Sequence, residues 1–156
     1  MRRSDREITD INTIKKFISK QQIIRIGFYD NGEIYIVPVN YGFEFKSGKL
    51  TFYFHGAKSG RKYELAKTTP NVGFEIDGDY SLVPSEKACG YSALFQSVTG
   101  NGKLTLVNGE EEKTKGLNCL MRQTADKDDF EYPKQSLDSV AVFRLEVYKF
   151  SCKGKI

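Results

Sequence analysis

Apolar positions change their period several times along the chain, and each change marks an element. Ile11, Ile14, Phe17 and Ile18 recur at helical spacing, with Thr9 or Asp10 placed to cap the helix. The spacing then drops to two at Ile24, Ile26 and Phe28. Asn31-Gly32 is a hairpin signal, and a long extended run from Ile34 to Phe45 follows, which predicts two antiparallel strands. Ser47-Gly48 turns the chain into a third strand, Leu50 to Phe54. A short helix from Arg61 stops before Pro70 and turns Leu65 and Ala66 inward. Val72 to Asp77 reads as a fourth strand closed by Gly78, and residues 79–92, without a clean period, as a long connection containing Pro84, Cys89 and Gly90. A fifth strand runs from Phe95 to Val107, with glycines that mark bulges or close backbone contact. Asn108 and Glu111 fit a capping box for a helix that buries Leu117, Leu120 and Met121. Val140 to Phe150 is a sixth strand, and Lys153-Gly154-Lys155 a basic tail. Six strands joined mostly by turns predict a mainly β fold, an antiparallel barrel with peripheral helices.

The chemistry concentrates in Phe54-His55-Gly56-Ala57-Lys58-Ser59-Gly60-Arg61-Lys62, a strand end, a glycine-bracketed turn and a basic helix start. Glycines admit a ligand close to backbone N–H groups, and the unpaired N–H groups of a helix start carry partial positive charge. A phosphate monoester is the natural guest, gripped bidentately by Arg61 and held by Lys62 as a point charge. The same pattern also occurs as a solvated turn. Upstream, Pro38 in Val37-Pro38-Val39-Asn40-Tyr41 removes a ladder donor and predicts an edge or a bulge. There Asn40 offers a donor and an acceptor, and Tyr41 a flat face. Gln96 and Ser97 could hydrogen-bond a ligand on the fifth strand. His55, the one histidine, is assigned to ligand contact, because no second imidazole exists for a triad or a metal site.

Bulk properties narrow the class. The 156 residues are the size of one domain, and 11 Phe with 9 Tyr supply core material. Three widely spaced cysteines, Cys89, Cys119 and Cys152, predict reduced thiols. Asp126, Asp128 and Asp129 lack the glycine and terminal glutamate of a calcium loop, and no metal is expected. No apolar run reaches membrane-spanning length and no signal-peptide core is present, so a cytoplasmic protein without membrane contact is expected. The net charge of +4 is scattered, unlike the dense basic stripe of a nucleic-acid binder.

The chain resembles the pyridoxamine 5′-phosphate oxidase-related, FMN-binding split-barrel family, especially its nitroimidazole-resistance (Nim) branch. The resembling residues are Met1-Arg2-Arg3 with Asp5-Arg6-Glu7-Ile8, Val37 to Tyr41, Phe54-His55-Gly56-Ala57, Gly60-Arg61-Lys62, Ser97-Val98 with Gly102-Lys103, and Glu112-Lys113. This resemblance implies a single domain over 1–156, a six-stranded split barrel forming a homodimer with FMN in two symmetric interface clefts. It places the phosphate at Arg61-Lys62, the ring along Val37, Pro38, Val39, Asn40 and Tyr41, and Phe54, His55, Gly56, Gln96, Ser97 and Val98 around the cofactor. Phe95, Thr99 and Asn101 depart from the family pattern, and vitamin B6 oxidation is not expected. The function implied is a flavoprotein oxidoreductase that takes electrons from a reductant and passes them through FMN to a small organic acceptor, such as a nitroaromatic. The alternative is a non-catalytic module binding flavin or haem. No general acid or base is singled out.

Overall fold

A computed structural model describes residues 4–156; Met1-Arg2-Arg3 of the family-like motif lie outside the described residues. Eight strands, β1 (Glu7–Ile8), β2 (Ile23–Asp30), β3 (Glu33–Asn40), β4 (Gly42–Lys46), β5 (Lys49–Gly56), β6 (Asn71–Val83), β7 (Ser92–Val107) and β8 (Ala141–Lys155), alternate with four helices. The helices are α1 (Ile11–Lys20), α2 (Arg61–Thr68), α3 (Glu110–Ala125) and α4 (Lys134–Ser139). All strand pairings are antiparallel, in the order β3-β2-β6-β7-β8-β5-β4, with β1 added along β8.

The two outermost strands of that order, β3 and β4, are consecutive in the chain and separated only by Tyr41. One residue cannot span an open sheet, so the sheet must curl until its edges meet. They meet without pairing to each other, which makes a barrel split along one seam. Alternation along the strands points Ile24, Ile26 and Phe28, Phe52 and Phe54, Phe74 and Ile76, Val98 and Leu104, Phe143 and Leu145 into one core. Helix α1 adds Ile14, Phe17 and Ile18 to that core, and its N-terminus is capped by Asp10, whose carboxylate accepts from the Thr13 N–H at 2.8 Å.

Several elements differ from the sequence expectation. The run Ile34 to Phe45 breaks at Tyr41 into β3 and β4, because the phenol turns fully inward: its hydroxyl donates to the Ile18 carbonyl at 2.7 Å. β6 does not close at Gly78; a bulge with Asp79 at φ 54° lets it continue to Val83, so the first part of the long connection is a hairpin arm paired with β7. β8 takes in the basic tail, and a short α4 occupies part of the polar segment. The cap of α3 is Gly109 with no side-chain hydrogen bond, so Asn108 and Glu111 do not form the expected box. Both predicted hairpin turns hold: Asn31 and Gly32, like Ser47 and Gly48, have positive φ at both central residues.

Candidate functional site

The residues after β5 build a cationic corner at one end of the barrel. Gly60, at φ 91° and ψ 169°, precedes α2 with no side-chain cap, so the first N–H groups of that helix have no side-chain acceptor. A side chain at Gly60 would strain this left-handed backbone. Gly56 serves a different need: a Cβ there would lie 2.9 Å from the Lys62 Nζ, and its absence lets that side chain lie along the strand end.

The Lys62 ammonium sits 5.6 Å and 5.2 Å from the ring centroids of Phe54 and Phe143, which stack on each other at 4.8 Å. Burial pushes its pKa down, and no carboxylate among the described residues opposes the shift. Beside it, His55 is exposed by surface area, yet enough protein surrounds the ring that partial desolvation, and then the Lys62 charge, lower its pKa. Two basic groups are thus held near each other without a resident anion to stabilise their charged forms. An anionic ligand would supply that stabilisation, and Lys62 is the group most in need of it.

Arg61 is placed differently from the sequence expectation. Its Nε and Nη2 donate to Asp30 at 2.8 Å and 2.7 Å, Nη2 also reaches Glu33 at 3.2 Å, and the guanidinium lies 4.7 Å from the centroid of Tyr35. Its hydrogen bonds to those carboxylates raise its pKa. Asp30, Glu33 and Tyr35 belong to the β2–β3 hairpin, so Arg61 bridges the seam of the barrel. No signal in the sequence ties it to carboxylates 28 and 31 positions earlier.

Along β3, the strand at the seam, Val37 and Val39 are half-buried against the core while Pro38 faces outward. Asn40 donates to the Gln22 carbonyl at 3.0 Å. The Tyr41 side chain is committed to the core and presents only its backbone to the seam, which corrects the expectation of an accessible aromatic face there. Phe54, His55, Gly56, Arg61 and Lys62 are therefore brought together, with β3 leading away from them.

Gln96, Ser97 and Val98 are not. Ser97 pairs with Lys153 and Asp77, whereas the level of Lys62 on β7 is Leu106, the partner of Phe143. Nine residues of strand separate the two, about 30 Å along its length. Val98 is buried, and Gln96 is buried with its Nε2 lacking a hydrogen-bond partner among the described residues.

A scan against family models matches residues 10–153 to pyridoxamine 5′-phosphate oxidase. The chain belongs to the pyridoxamine 5′-phosphate oxidase family. Comparison with solved structures places within this fold a Bacteroides thetaiotaomicron protein provisionally assigned to 5-nitroimidazole antibiotic resistance. It is 29% identical with a TM-score of 0.82, covering 95% of this chain and 86% of that one. The flavocytochrome Anf3 of Azotobacter vinelandii shares the fold at 19% identity and TM-score 0.80, over 100% of this chain and 72% of that one. So does an FAD and haem binding protein of Mycobacterium smegmatis, at 13% identity and TM-score 0.79, over 96% and 73%. No curated protein sequence matches the chain. The family and its Nim-like branch are thus those the motifs resembled, and the strand number is eight where six were expected.

Proposed function

We propose that this member of the family is an FMN-binding flavoprotein oxidoreductase, passing electrons from a reductant to a small organic acceptor such as a nitroimidazole. The observation that carries the reading is Lys62: a half-buried ammonium with no carboxylate partner among the described residues, beside His55 and an uncapped helix start. That combination suits a phosphate monoester. When bound, FMN would supply the redox chemistry. The chain's residues would bind and orient it, with Lys62 and the α2 N–H groups on the phosphate and β3 from Val37 to Asn40 along the ring. Arg61 would join only by leaving Asp30 and Glu33. The nitroimidazole acceptor draws its support from the 29% identical Bacteroides protein. No helix among the described residues is long and apolar enough to cross a membrane, and action in the cytoplasm is part of the proposal.

A homodimer completes this reading. If Ser97 and Lys62 serve one cofactor, they must come from different copies, given their separation along β7. A face suited to such pairing runs over β2, β3 and β6, with Tyr148 of β8 at its margin. Tyr29, Ile34, Ile36 and Tyr148 stand more than 60% exposed around a trough floored by Gly27 and Gly73, which pair with each other. Neither glycine has positive φ, and a Cβ at either would meet nothing closer than 3.7 Å, so the chain's own packing does not require them. Glycine in a strand without an internal reason fits close approach from outside. Knobs and a hollow on one face meet the self-complementarity of a two-fold interface.

The test is an absorbance and fluorescence titration with FMN, using riboflavin as the control lacking phosphate. Tight FMN binding with much weaker riboflavin binding is expected, followed by flavin reduction and reoxidation by a nitroimidazole. Failure of both flavins to bind would overturn the proposal. A Soret band on haem addition, lost in His55→Ala, would replace it with the haem-module reading.

A further inference from the structure

Past the bulge at Asp79, β6 and β7 continue as a two-stranded arm, Ser81, Leu82 and Val83 pairing with Leu94, Ala93 and Ser92, while β8 accompanies β7 only as far as Phe95. No residue from 79 to 95 is buried, and Tyr80, Leu82 and Tyr91 are half or more exposed. A two-stranded hairpin is marginal by itself, and its apolar side chains call for a surface to cover them. Alternation fixes which way they face. Gln96 and Val98 are buried, so Ala93, Phe95, Ser97, Thr99 and Asn101 lie on the outer side of β7, and Leu82 joins them opposite Ala93. Asn101 pairs with Gly73, and Gly73 with Gly27, so this side of the arm continues the face that holds the glycine trough.

We infer that the arm of one copy docks on the Lys62 end of a second copy and closes the cofactor site there. The inference rests on the dimer reading, in which Lys62 of one copy and Ser97 of the other serve one cofactor. Two levels about 30 Å apart along β7 must then coincide between copies. A two-fold axis along the strands sets every level opposite itself; only an axis across them exchanges the two ends. β7 of one copy therefore runs against the direction of the other. From Ser97 the arm continues past Phe95 to Ser92, about 17 Å of strand, beyond the point where the second copy's β7 ends at Val107. There Phe95, Ala93 and Leu82 supply an apolar wall that a single copy lacks. The arm's tip carries Glu86 and Lys87, and the facing end carries Lys58 and Asp138, none of them in an ion pair among the described residues, so each side offers one charge of each sign.

Cys89 lies on the arm and is exposed, whereas Cys119 and Cys152 are buried, so the parent chain already carries one accessible thiol for a cross-linking test. A second cysteine is placed at the Lys62 end by Asn108→Cys or Asp138→Cys, both at exposed positions, and the full chain is treated with a bifunctional maleimide. A covalent dimer on a denaturing gel is expected from at least one of the two variants. None is expected from the parent, whose two Cys89 thiols stand at opposite ends of the pair, nor from Lys127→Cys, at the far end of α3. Cys89→Ser should abolish the cross-link, and Leu82→Lys should lower its yield at least threefold. Sedimentation of the untreated proteins separates the two readings. A dimer that gives no cross-link from either position, links equally from Lys127→Cys, links in the parent, or still links without Cys89 would overturn the docked arm and leave the pairing of copies standing. A monomer would overturn that pairing, and the arm with it.

Discussion

Replacing Lys62 by methionine separates the charge at the cationic corner from the shape that carries it. Methionine keeps an unbranched apolar stem for the stacked Phe54 and Phe143 rings and removes only the ammonium. A hydrogen bond between charged groups contributes about 1.5–3 kcal/mol, or roughly ten- to hundredfold in Kd. Half-exposure of Lys62 puts the expectation near the lower end, about tenfold, because solvent screens the pair. The variant should not be less stable than the parent, since the folded protein places this ammonium where burial disfavours its charge. Fluorescence titrations with FMN and riboflavin, with thermal unfolding of both proteins, provide the check. FMN should weaken about tenfold while riboflavin stays the same. Equal weakening of both flavins would mean that the side chain acts through shape, and unchanged FMN affinity would remove Lys62 from phosphate binding; either result would refute the reasoning.

Four further outcomes follow from the same structure. If Arg61 must leave its carboxylates to reach a ligand, Asp30→Asn should tighten FMN binding, whereas Arg61→Ala should weaken it; opposite signs in the same titration would show Arg61 acting only across the seam. The lowered pKa of His55 means that the unfolded chain takes up its proton first as pH falls, so stability should rise with pH through the window just below 6.5 and lose that slope in His55→Gln, as read by denaturant unfolding. Gly42→Ala would drive a methyl into the Cys119 and Leu120 backbone, where α3 packs on β4, and should cost about 3 kcal/mol, a fall of about 6–12 °C in Tm by calorimetry. Ile36→Lys, on the face proposed for pairing, should yield a monomer by sedimentation with the fold intact by circular dichroism; a persisting dimer would relocate the interface.

Much of the barrel was legible because period and turn chemistry agree. The alternation of Ile24, Ile26 and Phe28 and the left-handed pair Asn31-Gly32 each demand the same hairpin, and neither depends on distant residues. Boundaries failed where tertiary contacts override that local pattern. Tyr41 ends β3 because its hydroxyl finds the Ile18 carbonyl, a partner on α1 that no strand pattern announces. β6 outruns Gly78 because β7 pairs with it beyond a bulge at Asp79, and extended pairing can carry a strand through glycine and aspartate. The expected capping box failed because Gly109, one residue later than Asn108, starts the helix.

The cationic corner shows the same division in its chemistry. Glycine positions and the presence of two adjacent cations could be read locally, since Gly56 and Gly60 meet requirements within the loop itself. Which cation is free could not. Curling the sheet brings the β2–β3 hairpin across the seam, and with it Asp30 and Glu33 onto Arg61, while the neighbouring Lys62 points the other way over aromatic rings and meets no carboxylate among the described residues. The residue better suited to bidentate grip is thus occupied in closing the barrel, and the point charge is left for a ligand. If a phosphate then drew Arg61 off its carboxylates, the seam bridge would loosen at the hairpin that begins β3. Ligand binding and the position of the strand proposed to carry the ring would then be linked through one guanidinium, so Asp30→Asn should alter hydrogen exchange along β3 in the unliganded protein. The same exchange in both forms would break that link.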